Sequence, residues 1–244
     1  VGDGFLWNSD RDGWAHYYLY DRDGVLVRQV THGAFSVDRI VHVDEEKGDM
    51  LFTAFADDKG SSGRAQLHRV RLDGTDLRRL DADSATHVLS ARPDGAYVVD
   101  SILRPDAMPK MTLRDRGGRE LAVLEQAAAD RFDRLGWRPP VPLDLKAADG
   151  DTRIEGMMWL PPAIEAHARL PVIVQAYPGP SNDVVPTGFV PAHPNAALAE
   201  LGFVVVTFGQ RGGAPTRGRD YQFFAREPGR MRDYPIADNA AALA

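Results

Sequence analysis

A hairpin that recurs along the first half of the chain constrains the fold most strongly. Three segments each carry two runs of strand-forming residues joined by a glycine-containing turn: 17–31, 67–81 and 110–125. The turn glycines, Gly24, Gly74 and Gly118, are separated by 50 and 44 residues. Repeats of roughly 45–50 residues with about four short strands are typical of β-propeller blades. A β-sandwich with similar hairpins is the alternative, but a turn that recurs at the same place in each unit favours the propeller.

Two further strand candidates, residues 49–56 and 96–103, lie between the hairpins and bring each repeat to about four strands. Residues 1–135 therefore contain about two and a half blades, which we interpret as the last blades of a propeller. A blade cannot bury its faces without neighbours, so we expect further blades before Val1. The chain does not begin with Met and ends in a helical pattern without a stop signal. We therefore expect an internal piece of a longer protein.

The pattern changes at about Arg138, and residues 136–244 alternate strands with helices. We expect a hairpin around an Asp-Gly turn, a strand, a short helix, a strand and the start of a helix, at 137–162, 170–180, 194–202, 203–209 and 231–244. Short connections between alternating strands and helices predict the beginning of a parallel α/β sheet. The nearly continuous apolar run in residues 170–180 indicates a strand that is covered on both faces.

Composition and charge exclude several classes of function. The 244 residues include 29 Lys and Arg against 35 Asp and Glu, a net charge of −6, and no long basic block that would follow a phosphate backbone. No apolar run approaches the ~18 residues of a membrane span. The absence of cysteine excludes disulfides, thiolate catalysis and zinc–thiolate sites, and leaves the compartment open between periplasm and cytoplasm. The glycine-rich residues 208–218 fit neither phosphate-loop pattern, so no nucleotide site is expected.

The serines and histidines provide no recognisable nucleophile and no metal site. None of the eight serines lies in Gly-x-Ser-x-Gly, the nucleophile elbow of α/β-hydrolases. Ser181 comes nearest, but its surroundings indicate a residue that braces a loop. His16 and His68 occupy matching places in two repeats, which favours structural roles, and His193 is interpreted as a solvated loop residue. No two histidines have metal-ligand spacing, so neither a metal nor a cofactor is expected.

Tyr177 is the candidate site residue. It stands where a predicted parallel strand ends, and open α/β sheets bind ligands at the carboxyl ends of their strands. The Pro-Gly-Pro that follows it forces a sharp turn. A phenol held in this way can donate a hydrogen bond to an oxygen that gains negative charge during acyl transfer. A tyrosine that fills the top of the core is the alternative, and the residues alone do not decide between the two.

A family resemblance rests on five stretches of the chain: 5–37, 104–121, 172–185, 202–221 and 231–244. The first includes Leu-Trp-Asn-Ser-Asp-Arg-Asp-Gly, and the third runs from a strand into Tyr-Pro-Gly-Pro. Together they resemble the prolyl oligopeptidase family of serine peptidases, in its dipeptidyl peptidase IV branch. The first stretch is similar to the family's late propeller and the second to its final blade. The third is similar to the strand and Tyr-Gly-Gly-Pro turn of its catalytic domain, and the last two are similar to the segment before its nucleophile elbow.

The resemblance implies a propeller followed by the first part of an α/β-hydrolase domain, whose Ser, Asp and His come in that order beyond Ala244. It implies that Tyr177 is a donor of the oxyanion hole. The full-length parent would then hydrolyse short peptides through an acyl-enzyme, with peptides rather than nucleic acid as partners and a homodimer as an open option, while this chain alone would be inactive. A related esterase or isopeptidase and a non-catalytic propeller scaffold are the alternatives.

Two departures from the family pattern fall in the second half of the chain. Gly209-Gln210-Arg211-Gly212 stands where the branch has Asp-Gly-Arg-Gly, so a loop carboxylate is missing. The turn at Tyr177 reads Tyr-Pro-Gly-Pro instead of Tyr-Gly-Gly-Pro. The glutamates that capture a substrate's amino terminus in this branch come from earlier propeller sequence, so dipeptide release does not follow from these residues.

Overall fold

The structure of the chain, a computed structural model, describes residues 1–56, 63–164, 169–177, 179, 183–214, 216–224, 226 and 233–244. The chain divides into two compact units. The first comprises residues 1–103, 109–126 and 216–220, and the second comprises residues 104–108, 127–215 and 221–244.

Three antiparallel sheets follow one another along the first half of the chain. The first sheet contains β1 (Phe5–Ser9), β2 (His16–Tyr20) and β3 (Leu26–Gln29). The second contains β4 (Phe35–Asp44), β5 (Asp49–Ala56), β6 (Ala65–Arg71) and β7 (Arg78–Arg79). The third contains β8 (Thr86–Ala91), β9 (Tyr97–Arg104), β10 (Ala107–Asp115) and β11 (Glu120–Gln126). Strands that are consecutive in the chain are neighbours in every sheet, as in propeller blades, whereas a sandwich connects strands across two packed sheets.

The three predicted glycine turns have the same hydrogen bonds and the same place in each sheet. Gly24, Gly74 and Gly118 join the last two strands, with φ of 81°, 88° and 86°. Each glycine N–H donates to the carbonyl three residues earlier, at 3.2, 2.9 and 2.9 Å, and that residue's N–H donates to the carbonyl just after the glycine. Left-handed backbone of this kind favours glycine. The repeated unit is therefore confirmed, with three described strands in the first sheet and four in each of the others.

Two of these turns pack closely against the end of the preceding sheet. A Cβ on Gly74 would lie 3.1 Å from the carbonyl oxygen of Gln29, at the end of β3. A Cβ on Gly118 would lie 2.7 Å from the Cβ of Leu80, directly after β7. Glycine therefore serves both the backbone conformation of the turn and the close approach of one repeat to the next.

Strand β5 contributes to the apolar core on both of its faces. Met50, Phe52 and Ala54 join a cluster that contains residues of the first two sheets. Leu51 points to the opposite face and joins a second cluster with residues of the third sheet. All four side chains are at most 1% exposed, and full burial of a Met, Phe or Leu side chain stabilises the fold by about 1.5–3 kcal/mol. The sheets thus bury their faces against one another, as repeats require.

His16 and His68 are packed in the core between the first two sheets. His16 is hydrogen-bonded to Thr31 at 3.2 Å, and its ring meets Phe35 edge-on at 5.0 Å. His68 stacks on Phe35 and on Phe52, each at 5.4 Å between ring centres. Burial lowers the pKa of the His16 imidazole, as suits a neutral ring in the core. The packing of both histidines in the core is consistent with the structural roles expected from the sequence.

Residues 1–135, interpreted from the sequence as propeller blades only, also contain helix α1 (Ala129–Arg134). Asp130 and Arg134 form an ion pair at 3.3 Å one helical turn apart, and Gly136, with φ 71°, follows the helix end. Phe132 packs edge-on against Trp137 at 5.9 Å. The helix has six residues and buries none of them, so it leaves almost no hydrophobic periodicity in the sequence.

After α1 the chain forms a mixed sheet and three more helices. The strands are β12 (Val141–Lys146), β13 (Arg153–Trp159), β14 (Val172–Gln175) and β15 (Val204–Phe208), in the order β12-β13-β15-β14. The helices are α2 (Pro194–Glu200), α3 (Arg219–Phe224) and α4 (Asp233–Ala242). The predicted hairpin is β12–β13, the predicted parallel pair is β14–β15, and α3 was not predicted. No helix in the described ranges is long and apolar enough to cross a bilayer.

Strand β14 differs from the prediction of a strand covered on both faces. It lies at the edge of the described sheet and pairs with β15. Val172 is 52% exposed, and Ile173 and Val174 are half-buried. An apolar run reads the same at an edge as in the centre of a sheet, because the sequence does not show which neighbours cover it.

Candidate functional site

Strands β14 and β15 end side by side at one edge of the mixed sheet. Their parallel register pairs Gln175 with Thr207, and Thr207 Oγ1 donates a hydrogen bond to the carbonyl of Gln175 at 3.0 Å. Tyr177 follows the end of β14, and Gly209 directly follows β15. The loops after both strands therefore start at the same place, the edge at which open α/β sheets bind ligands.

Tyr177 carries an accessible phenol. The residue is 59% exposed and belongs to no apolar cluster among the described residues. Its hydroxyl has no hydrogen-bond partner in the part of the chain that the structure describes. Tyr177 is therefore not packed in the core that the described residues of this chain form. The hydroxyl is available to a bound molecule, and its role as an oxyanion donor stays a prediction.

The backbone of the Tyr177 loop is held by Gln210. Nε2 of Gln210 donates to the carbonyl oxygens of Tyr177 and Gly179, each at 3.1 Å. Gln210 is 2% exposed, so these bonds are shielded from water. The sequence marked Gln210 as a departure from a family pattern but did not identify its partners, which are 33 and 31 residues away.

Gly209 leaves room for the carboxylate of Asp183. A Cβ on Gly209 would lie 3.3 Å from Oδ2 of Asp183 and 3.4 Å from the carbonyl oxygen of Glu155. Oδ1 of Asp183 accepts the N–H of Val185 at 3.0 Å. The space beside Gly209 is therefore occupied by the carboxylate of another loop residue.

Arg211 ties the loop after β15 to helix α4 and to the β12–β13 turn. Its Nη2 donates to Asp238 at 2.7 Å, and its Nη1 donates to Asp149 at 2.9 Å. The guanidinium also lies over the rings of Phe224 and Tyr234, 4.9 Å from each ring centre. Arg211 is buried, so this arrangement fits a structural tie rather than a cation that binds a ligand.

The charges around Arg211 reinforce this tie. Burial acts to raise the pKa of Asp149, but hydrogen bonds from Thr152 and the charge of Arg211 outweigh it and lower the pKa to about 2. Burial acts to lower the pKa of Arg211, but its hydrogen bond to Asp238 and the nearby carboxylate charges raise it. The Arg211–Asp149 ion pair therefore persists at neutral and mildly acidic pH.

His193 caps helix α2 and is not the solvated loop residue interpreted from the sequence. Its Nδ1 accepts the N–H of Asn195 at 3.2 Å, and its ring stacks on Trp159 at 4.6 Å. Burial lowers the pKa of His193, which keeps Nδ1 free to accept this bond. The Asn195 side chain donates to that of Gln175 at 2.7 Å, so the helix cap supports the end of β14. Ser181 lies outside the described residues, and its predicted role as a loop brace stays a prediction.

Comparison with known proteins matches the first half of the chain to one family. Residues 1–109 match the model of the dipeptidyl peptidase IV (DPP IV) N-terminal region. The chain is 26% identical to dipeptidyl peptidase 4 of Trichophyton equinum over 182 residues, and 24% identical to that of Sus scrofa over 211 residues. The chain is thus similar to dipeptidyl peptidases IV.

These curated relatives are much longer than the region they share with the chain. The matches cover 70% and 84% of the chain but 22% and 27% of the two dipeptidyl peptidases. The activity, substrates and partners of the whole protein therefore do not follow from these matches.

Solved structures extend the likeness of fold over 98% of the chain. The crystal structure of Porphyromonas gingivalis dipeptidyl peptidase 4 matches with a TM-score of 0.80 and 24% identity, over 33% of that chain. A putative dipeptidyl aminopeptidase IV from Bacteroides ovatus matches with a TM-score of 0.82 and 21% identity, over 36% of that chain. The prediction of dipeptidyl peptidase IV-like propeller blades is confirmed, and the assignment of the second unit to an α/β-hydrolase domain stays a prediction.

Proposed function

We propose that this chain is part of a serine peptidase of the dipeptidyl peptidase IV type, which hydrolyses short peptides through an acyl-enzyme. The observation that carries the proposal is the accessible phenol of Tyr177 at the carboxyl end of β14, on a backbone held by Gln210. The relatives named dipeptidyl peptidase 4 support it. By the family resemblance, the catalytic Ser, Asp and His follow Ala244 in the parent protein.

The proposed mechanism assigns Tyr177 to stabilisation of charge. The serine Oγ attacks the peptide carbonyl carbon while the histidine takes its proton, and the carbonyl electron pair moves onto the oxygen. The Tyr177 hydroxyl donates to this oxyanion more strongly than to the ground-state carbonyl. Collapse of the intermediate expels the amine, which takes the proton from the histidine, and water then hydrolyses the acyl ester in the same way.

The proposal is tested on the full-length parent protein with three substrate classes and one probe. The substrates are dipeptide anilides, the same peptides with a blocked amino terminus, and short acyl esters, and the probe is a fluorophosphonate that labels activated serines. Peptide hydrolysis together with labelling supports the proposal. Hydrolysis of esters without hydrolysis of peptides would indicate the related acyl hydrolase.

Two further comparisons complete this experiment. A parent protein that hydrolyses none of these substrates and is not labelled by the probe would be the non-catalytic scaffold. The 244-residue chain should hydrolyse no peptide and take up no probe, because the proposed nucleophile is not among its residues. Labelling of this chain at Ser181 would contradict the roles assigned here.

A further inference from the structure

We infer that Gln210 is a positioning residue that sets the direction of the Tyr177 side chain, an inference that rests on the function proposed above. The two residues belong to the loops that follow β15 and β14, and Gln210 Nε2 lies 3.1 Å from the carbonyl oxygen of Tyr177. In this inference Gln210 has no direct role on the reacting atoms. It acts through the backbone of the tyrosine.

The side-chain amide of Gln210 restrains two peptide planes at once. A glutamine amide has two N–H donors, and here one nitrogen serves the carbonyls of Tyr177 and Gly179, each at 3.1 Å. The carbonyl of Tyr177 lies in the peptide plane that follows its Cα, so fixing that carbonyl limits ψ at Tyr177. The restraint on ψ limits how the loop can turn and therefore where the phenol points.

Gln210 is itself held from several sides, which makes it the fixed partner. Its carbonyl accepts the hydroxyl of Tyr221 at 2.7 Å and the N–H of Gly213 at 2.9 Å. The N–H of the next residue, Arg211, donates to Asp238 Oδ2 at 2.9 Å. Gln210 is also buried. A buried donor on an anchored backbone can hold a loop whose own side chain is exposed.

The two departures from the family pattern fall on the two segments that this contact joins. Gln210 stands where the Asp-Gly-Arg-Gly pattern has a glycine, which has no side chain to donate. The other departure, Tyr-Pro-Gly-Pro for Tyr-Gly-Gly-Pro, lies between the two carbonyls that Gln210 holds. The amide contact is therefore a feature of this chain's own residues.

The experiment measures kcat and KM of the parent protein with Gln210→Met. Methionine keeps the length and apolar bulk of the side chain and removes both donors. Gln126→Met is the matched control, because Gln126 Nε2 also donates to a backbone carbonyl, that of Pro109 at 3.3 Å, but at the end of β11. We expect Gln210→Met to lower kcat by about 10- to 100-fold, with KM changed less than about 3-fold, and the control to change neither.

A double-mutant cycle with Tyr177→Phe separates positioning from a general structural effect. In Tyr177→Phe the side chain has no hydroxyl to direct at the oxyanion. Adding Gln210→Met to this variant should therefore lower kcat by less than about 3-fold. An equal loss of kcat with and without the hydroxyl would overturn the inference. An unchanged kcat in Gln210→Met would overturn it as well.

The inference stays testable if a variant does not fold or if the parent is inactive. Gln210→Glu keeps the shape of the side chain and replaces the donating amide by an acceptor, and it takes the place of a Gln210→Met protein that fails to fold. A parent without any hydrolase activity refutes the proposed function separately. Hydrogen exchange of the folded parent then decides: faster exchange in the peptide that contains Tyr177 and Gly179 supports the inference, and unchanged exchange overturns it.

Discussion

The imidazole Nδ1 of His87 lies 2.9 Å from Oδ2 of Asp100, and both side chains are fully buried. The other ring nitrogen lies 2.9 Å from Asp83 and 3.7 Å from Asp81, and Arg114 donates to Asp100 at 2.7 Å. Burial alone lowers the pKa of His87, but the hydrogen bonds to Asp100 and Asp83 and the carboxylate charges outweigh it and raise the pKa to about 9. His87 is therefore a buried imidazolium at neutral pH.

The first prediction is that this imidazolium stabilises the fold less as pH rises. Its pKa in the folded state exceeds the ~6.5 of an unfolded chain, so its contribution is complete below about pH 6.5 and is lost as pH rises through about 9. The contribution that is lost is on the order of 3 kcal/mol. Urea unfolding of the wild type and His87→Gln should show a gap in unfolding free energy that narrows between about pH 6 and about pH 9. A gap of constant size would contradict the titration of His87 in this range.

The second prediction compares two equivalent turns, through Gly24→Ala and Gly118→Ala. Both glycines have left-handed φ, 81° and 86°, so alanine costs about 1–2 kcal/mol at each position. The added Cβ meets open space at Gly24 but lies 2.7 Å from the Cβ of Leu80 at Gly118. This overlap should cost about 1–3 kcal/mol more at Gly118. Urea denaturation measures both losses, and equal losses would mean that the third sheet does not pack against Leu80.

The third prediction is that Gly209→Asp, which restores the family's residue, destabilises the protein. The Cβ of the new side chain would lie 3.3 Å from Oδ2 of Asp183, and two neighbouring carboxylates raise the pKa of the pair above its unfolded value. Relative to Gly209→Asn, the aspartate variant should therefore lose about 1–2 kcal/mol of unfolding free energy as pH rises from about 4 to about 7. Urea unfolding of both variants tests this, and the prediction is wrong if their difference does not depend on pH.

The fourth prediction concerns Tyr177→Phe in the parent protein. Loss of an oxyanion donor should lower kcat by about 10²- to 10³-fold and change KM far less. The melting temperature should stay unchanged, because Tyr177 is 59% exposed and its hydroxyl has no partner among the described residues. Kinetics and thermal unfolding of the same preparation give both values. A lower melting temperature with near-normal kcat would argue against the oxyanion role.

Much of the repeat architecture is predictable from the sequence because its determinants are local. The turn glycines lie within a few residues of the strands that they connect, and a positive φ strongly restricts the residue type. Helix α2, which begins at Pro194 and is followed by Gly202 with φ 98°, obeys equally short-range rules. Tyr177 is recognisable as a candidate for the same reason, since the end of a strand can be located from the strand itself.

The partners of these residues are decided by the tertiary structure. Gln210 is 33 residues from the tyrosine that it holds, and Asp183 occupies the space beside Gly209 from a different loop. The ring of His193 stacks on Trp159 of β13, which lies 34 residues earlier in the chain. Local sterics and turn geometry depend on a few neighbouring residues. The sequence alone therefore determined the positions of the hairpins and identified Tyr177 as a candidate site residue. An amide, a carboxylate or an imidazole can pair with many groups, and which one it meets depends on the order in which the whole chain arranges its strands.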